Sequence, residues 1–231
     1  MPLVYSNMQM SGVVEEYPSL IPVINRFGIR LGLGDQSVQE LCGTYSLDTD
    51  FFLTVINTFL NEEYFPEKKL QSFHTSQIID YLQKTNHFYR QNQLPNIERH
   101  LSYFIKGSTG NQSLSLIGDF FAKFKKEFES RIEYDEKTWF PYCLALNDKL
   151  QNAAQTVSPP SPLQKEDSIE EMLADLKKIM VKHLSGQYDE NLCYAVIVAI
   201  NNLQKDIKQQ NRIRYRILAP MVNAMENTAN K

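Results

Sequence analysis

One predicted helix in the middle of the chain ends with two polar residues on its apolar side. Apolar residues recur at three- and four-residue steps along 114–128, and the same steps lead on to Arg131 and Asp135. Helical periodicity therefore points both side chains inward. A guanidinium and a carboxylate can form charge-assisted hydrogen bonds or an ion pair, and such pairing makes the burial of both groups tolerable.

A second predicted helix, near the C-terminus, has the same arrangement. Its apolar stripe over 196–207 continues by the same steps onto Gln210 and Arg214. Because burying polar groups is costly unless each is paired, the two helix ends predict one shared polar pocket. The alternative is that both stripes reach the end of a bundle, where these side chains meet water.

The two helices also share one spacing of polar residues and proline, here called the frame. In each, the second polar residue lies four positions after the first, and a proline, Pro141 or Pro220, follows six positions later. This shared spacing is a weak internal repeat.

The elements that would position these residues are helices, because helical periodicity dominates and strand-like alternation is nearly absent. The fold class is predicted to be all-α. Short helices are expected over 13–26, 36–44 and 49–61, and longer ones over 75–92 with a continuation beyond Pro95, 113–134 or further, 168–184 and 190–218. Three prolines within 155–164 predict a long connection there, so the architecture is an up-down four-helix bundle with one crossover.

The domain organisation follows from these elements. A small helical N-terminal domain is expected over 1–68, the four-helix bundle over 69–225, and a tail over 226–231. The break is placed in the polar, proline-containing stretch before residue 69.

Composition excludes several classes of protein. Hydrophobic residues make up 42% and charged residues 22% of 231 residues, which is typical of a folded globular chain. The net charge of -3 argues against a generally basic nucleic-acid surface. No stretch approaches the roughly 20 apolar residues of a membrane helix, and the first 12 residues lack the features of a secretory signal, so a cytoplasmic protein without a membrane partner is expected.

Cysteine and histidine usage limits the sites that can be built. Cys42, Cys143 and Cys193 are odd in number and widely spaced, which favours reduced, buried thiols over disulfides or a metal knuckle. The chain has 4 histidines, so a site that needs five imidazole ligands is excluded. No Gly-rich phosphate loop and no nucleophile elbow is found.

A basic run near the C-terminus leaves a further alternative open. It consists of Lys205, Lys208, Arg212, Arg214 and Arg216. Such a run can form a local nucleic-acid patch. It can also be a solvated helix face whose charges favour the C-terminal helix dipole.

Several segments resemble the hemerythrin-like di-iron proteins, in particular those of the repair-of-iron-centres type. Tyr17-Pro-Ser-Leu-Ile-Pro-Val-Ile-Asn-Arg-Phe-Gly-Ile resembles the start of that family's small N-terminal domain. Ile78-Ile-Asp-Tyr-Leu-Gln-Lys-Thr-Asn-His-Phe-Tyr-Arg-Gln-Asn-Gln-Leu-Pro resembles its first bundle helix. The two proline-ended frames resemble its paired motif His-x3-Glu-Glu-x3-Phe-Pro. The resemblance covers nearly the whole chain and implies a hemerythrin-like four-helix bundle after a small helical domain.

The same resemblance implies that the di-iron site has been dismantled. His87 falls where the first helix supplies an iron ligand. The other positions carry non-ligating or changed residues: Arg131 for a histidine, Asp135 for a bridging glutamate, Glu171 or its neighbour Met172 for a histidine, Gln210 for a histidine and Arg214 for a bridging carboxylate. No metal and no cofactor is therefore expected at these vestigial positions.

The charges of the six vestigial residues agree with that expectation. Arg131 and Arg214 are cationic, Asp135 and Glu171 are anionic, and His87 and Gln210 are neutral, so their formal charges sum to zero. A permanently charged guanidinium repels a metal ion, and an ion pair inside the bundle can replace the cofactor.

The function predicted from the sequence is that of a non-catalytic, metal-free hemerythrin-like module in cytosolic sensing, regulation or protein binding. Its partner is an unidentified protein or small ligand, and a homodimer is left open. One alternative is a residual metal-binding protein that holds iron or zinc through His87, Asp135 and a neighbouring carboxylate and acts in iron-sulfur repair or in the nitric-oxide or oxidative stress response. The other is a nucleic-acid-associated regulator.

Overall fold

The fold is all-helical, as predicted. A computed structural model describes residues 3–108, 112–152 and 168–229, and none of them lies in a β-strand. The helices of these residues are α1 (Met10–Glu16), α2 (Ile21–Arg26), α3 (Val38–Thr44), α4 (Thr49–Leu60), α5 (Glu67–Gln71), α6 (Thr75–Phe88), α7 (Leu94–Gly107), α8 (Gln112–Tyr134), α9 (Phe140–Asn152), α10 (Ile169–His183), α11 (Glu190–Ile213) and α12 (Ala219–Ala229). None of the helices in this part of the chain is both long and apolar enough to cross a membrane.

The short N-terminal helices agree with the prediction in two cases out of three. The helix predicted over 36–44 begins at a capping box, in which Ser37 accepts from the Glu40 N–H and the Glu40 carboxylate accepts from the Ser37 N–H. Asp48 caps the helix predicted over 49–61. The single helix predicted over 13–26 is wrong, because the chain there forms α1, a 3-10 turn and α2, and Pro18 opens the 3-10 turn.

The four long helical segments of the sequence are confirmed, and two of them extend further than expected. α8 continues through a π-helical turn into α9, and α11 continues in the same way into α12. Residues 226–229, predicted to belong to a tail, are therefore helical. The proline-rich connection predicted over 155–164 lies outside the described residues.

A π-helical turn precedes each of three prolines inside these long helices. The turns are Tyr89–Gln93, Asp135–Trp139 and Arg214–Leu218, and the prolines are Pro95, Pro141 and Pro220. In each case the residue before the proline donates its N–H to the carbonyl five positions back. Proline has no N–H and its ring clashes with the carbonyl four positions back, so a wider turn accommodates it without ending the helix. The repeated frame is thus a repeated backbone feature, and it occurs a third time before Pro95.

The chain divides into two compact units. The first comprises residues 1–85 and 212–223, and the second comprises 86–211 and 224–231, so the boundaries fall inside α6, α11 and α12. The predicted segments 1–68, 69–225 and 226–231 stay a prediction, because spatial compactness does not show which segment folds on its own.

The first unit has an aromatic core. Phe27 lies against Phe52 and Tyr81, with ring centroids 5.0 Å and 5.5 Å away, and Phe51 lies 5.2 Å from Phe73. These rings come from α4, α6 and the segments that follow α2 and α5. Because short helices are marginal alone, this shared core is what holds them in place.

In the second unit, the apolar sides of α7, α8, α10 and α11 contribute to one hydrophobic core. The stripes predicted along 114–128 and 196–207 belong to it.

Cys42, Cys143 and Cys193 are buried free thiols, which confirms the prediction of reduced, buried cysteines. Burial raises the pKa of the Cys42 and Cys193 thiols and so disfavours the reactive thiolate.

The N-terminal segment is fixed to α4 by one side chain, which gives a stability prediction. Buried Asn57 accepts from the Val4 N–H at 2.7 Å and donates to the Val4 carbonyl at 2.9 Å. Asn57→Ala should lower the free energy of unfolding by roughly 2 to 4 kcal/mol, because two buried backbone groups lose their partners. Denaturant unfolding measures this. Asn202→Ala, at an exposed helical position, is the control and should change little.

Candidate functional site

A buried guanidinium is the centre of a polar network in the second unit. Arg131 on α8 donates from Nη1 to Asn211 Oδ1 and from Nη2 to Gln210 Oε1, both at 2.9 Å. Its Cζ lies 4.9 Å from the centroid of the Phe128 ring. All three polar residues are buried, so the predicted inward orientation of Arg131 and Gln210 is confirmed. The alternative in which these two side chains simply reach water is wrong.

The orientation of the Gln210 amide is set by Arg131. A guanidinium can only donate, so Gln210 must turn its oxygen toward it and its NH2 group away. That NH2 group donates to Asn86 Oδ1 at 2.8 Å. Asn86, near the end of α6, is fully buried, and its Nδ2 has no hydrogen-bond partner among the described residues. One arm of the network therefore ends in a buried donor.

The second arm ends in a carboxylate. Asn211 turns its oxygen toward Arg131 for the same reason, and its Nδ2 donates to Glu170 Oε1 at 2.6 Å. Glu170 lies in the first turn of α10 and is partly buried. The charge of Arg131 thus connects to that of Glu170 through an amide, and the network joins α6, α8, α10 and α11.

Two of the predicted site residues lie outside this network. His87 and Glu171 are both exposed, and the residues that face the interior are Asn86 and Glu170, one position earlier in each helix. The assignment of His87 as an inward position and of Glu171 as an internal partner is therefore wrong. A shift of one residue rotates a side chain by about 100° around a helix, which is enough to move it from the core to the surface.

The remaining two predicted positions are buried. Asp135, at the start of a π-helical turn, is fully buried, as the stripe along α8 predicted. Arg214 belongs to the first unit, is buried, and has its Cζ 4.7 Å from the centroid of the Tyr215 ring. The predicted ion pairs of Arg131 or Arg214 with Asp135 stay a prediction.

The network does not fit a di-iron centre. Iron is held by neutral imidazoles and anionic carboxylates, whereas a guanidinium is hydrogen-bonded to both Gln210 and Asn211. Its charge repels a cation, and it occupies the amide oxygens that could otherwise act as ligands. Within the described ranges, no three His, Cys, Asp or Glu side chains are grouped as metal ligands.

The basic run near the C-terminus does not form one exposed surface. Arg214 is buried, and Arg212 and Arg216 lie on the Phe65 ring, with Cζ atoms 4.2 Å and 4.5 Å from its centroid. Arg216 also donates to Glu67 at 2.6 Å. Partial burial, together with the charge of Arg216, lowers the pKa of Arg212. The guanidiniums of Arg212, Arg214 and Arg216 therefore contact aromatic rings of the first unit, and the nucleic-acid alternative stays a prediction.

Sequence reasoning missed Asn86, Glu170 and Asn211. Each is adjacent in sequence to a residue that was predicted to belong to the site. The sequence therefore indicated the correct helical turn but not these particular positions. The apolar neighbours of Asn86 could have fixed it, since Leu82 and Tyr89 lie at helical spacing from it and are buried.

In comparisons with known proteins, no protein-family model matches the chain, and no curated protein matches it either.

The contribution of the network to stability can be measured at Arg131. Arg131→Ala should lower the free energy of unfolding by roughly 3 kcal/mol or more, because two buried amide oxygens lose a charged donor. Lys125→Ala on the same helix removes an ion pair with Glu98 that is partly open to solvent, and it should cost no more than about 1 kcal/mol. Equal effects of the two variants would contradict the network.

The register on α6 can be tested with two adjacent residues. Asn86→Ala should lower the free energy of unfolding by roughly 1 to 3 kcal/mol, since the Gln210 NH2 group loses its buried acceptor. His87→Ala removes an exposed side chain and should stay within about 0.5 kcal/mol of the wild type. Thermal or denaturant unfolding of both variants decides whether Asn86 or His87 faces the interior.

Proposed function

We propose that this chain is a metal-free, non-catalytic hemerythrin-like module of the cytosol that binds a small ligand or a protein partner in sensing or regulation. The observation that carries the proposal is the position of Arg131 at the centre of a buried network that joins four helices. In a di-iron protein of that family, ligands from such helices would converge on metal. Here a guanidinium and amides occupy the interior.

A non-catalytic role is supported by the chemistry of the groups in the network. General acid-base catalysis requires a side chain that exchanges protons near neutral pH. The amides of Asn86, Gln210 and Asn211 do not exchange protons near neutral pH, and the Glu170 carboxylate accepts a hydrogen bond from the Asn211 amide. Each of the four side chains is already engaged in hydrogen bonds that fix its orientation.

A ligand-binding role is supported by Asn86. Its Nδ2 is a buried donor with no acceptor among the described residues, which is unfavourable by roughly 1 to 3 kcal/mol. A small molecule that brings a carbonyl or another acceptor to this atom would remove that penalty. Its binding would also be communicated to α8 and α11, because Asn86 is hydrogen-bonded to Gln210 and through it to Arg131.

The proposal is tested by metal loading. The purified protein, incubated anaerobically with ferrous iron and then desalted, should retain less than one iron per chain and show no oxo-bridge absorption band. One iron per chain would instead support the residual-metal alternative, and two irons would indicate an intact di-iron site; either result would end the metal-free proposal.

A matched variant makes the negative result informative. The variant carries Asn86→His, Arg131→Glu and Gln210→His and retains Glu170. These changes replace the cation and two amides by metal ligands at positions that are already in contact. This variant should bind zinc at least about tenfold more tightly than the wild type, and metal should raise its melting temperature. Circular dichroism checks that it folds. A folded variant that binds zinc no more tightly than the wild type would show that these positions do not form a common ligand set.

A further inference from the structure

The helices of the second unit carry exposed apolar side chains at the ends opposite to the network. Arg131 and Glu170 lie near the end of α8 and the start of α10, whereas exposed apolar residues lie at the start of α8 and the end of α10. α7 and α11 also carry their exposed apolar residues away from the network, toward the end of α7 and in the first half of α11. The exposed large hydrophobic residues in the described part of this unit, here called the apolar end, are Tyr103, Leu116, Val181, Tyr188, Tyr194 and Val198.

On α10 and α11, part of the apolar end forms a continuous surface. Lys177 donates to Asn201 at 3.1 Å and to Gln204 at 2.8 Å, which aligns the two antiparallel helices. One turn further toward the connecting segment 184–189, Val181 follows Lys177 on α10 and Val198 precedes Asn201 on α11, and both are exposed. Tyr194 occupies the next turn of the α11 stripe and is 72% exposed.

The connection between α10 and α11 brings α7 to the same place. The Tyr188 ring meets the Phe104 ring edge-on, with centroids 6.0 Å apart. A Cβ atom on Gly107 would lie 3.7 Å from Leu192 Cδ1, so the end of α7 is close to the start of α11. Exposed Tyr103 is therefore near the surface formed by α10 and α11.

Charges of both signs surround the apolar end, on different helices. Lys106 and Lys182 are exposed at the ends of α7 and α10. Asp189 and Glu190 are exposed at the start of α11. A surface with a basic part and an acidic part is complementary to itself, because a twofold axis places the basic part of one copy against the acidic part of the other.

We propose that two copies of this chain associate through the apolar end. A second copy supplies matching apolar side chains and opposite charges at once, whereas a strongly acidic or strongly basic partner would be repelled by half of the surface. Six side chains are fewer than a permanent interface contains, so the dimer is weak, with a dissociation constant on the order of micromolar. The dimer does not depend on the metal content or the ligand of the network.

Sedimentation velocity of the full chain from about 1 to 300 µM tests the proposal. The wild type should shift from monomer to dimer over this range. Val181→Lys and Tyr194→Lys, at positions that are 68% and 72% exposed, should each weaken association at least about tenfold without lowering the melting temperature. Leu31→Lys, at a 60% exposed position of the first unit, is the control and should leave association unchanged.

Charge reversal distinguishes a second copy from any other partner. Lys182→Glu and Glu190→Lys should each weaken self-association, because like charges then face each other in both halves of the dimer. An equimolar mixture of the two variants restores opposite charges in both halves and should associate more tightly than either alone. A wild type that stays monomeric at the highest concentration overturns the proposal. The proposal is also overturned if Val181→Lys and Tyr194→Lys leave the dissociation constant of the dimer unchanged. The same holds if the mixture of the two charge variants associates no more tightly than each variant alone.

Discussion

The buried guanidinium of Arg131 is the constraint to which the polar interior of the second unit responds. A cation in a core must have hydrogen-bond acceptors, and α11 supplies two of them in consecutive amides. Because the guanidinium only donates, both amides are oriented by it, and their NH2 groups must find acceptors in turn. Asn86 and Glu170 meet that need. One charged side chain thereby determines which residues of α6 and α10 face the interior.

The helices that carry the network tolerate proline because the backbone widens before it. Without the π-helical turns, Pro141 and Pro220 would end α8 and α11 close to Arg131 and Gln210. The turns let helical structure continue to Asn152 and Ala229. The position of each turn is set by its proline, since the missing N–H and the bulk of the ring act on the residues just before it. A turn at the same spacing before Pro95 shows that the feature belongs to three segments of the chain.

The proposed role in sensing or regulation and the proposed dimer use opposite ends of the same helices. At one end, hydrogen bonds join Arg131 to the amides of α11 and these to Asn86 and Glu170, and the Asn86 NH2 group has no partner among the described residues. At the other end, apolar side chains remain exposed and are flanked by both signs of charge. A ligand at Asn86 would act on α8 and α11, and both helices extend to the apolar end.

The sequence by itself determined the fold class and the long helices, and it placed Arg131, Asp135, Gln210 and Arg214 on the apolar sides of their helices, while their burial was seen only in the structure. Each of these predictions follows from apolar periodicity, which the hydrophobic effect imposes over many residues and which therefore tolerates local ambiguity. The division of 13–26 required knowing how Pro18 is accommodated, and periodicity does not contain that information. Only the tertiary structure decided that Glu170, and not Glu171, turns toward the interior, and only it showed that Asn86 binds Gln210. Neighbouring positions on a helix differ by about 100° in direction, and the choice between them depends on the hydrogen-bond acceptors and donors that another helix presents.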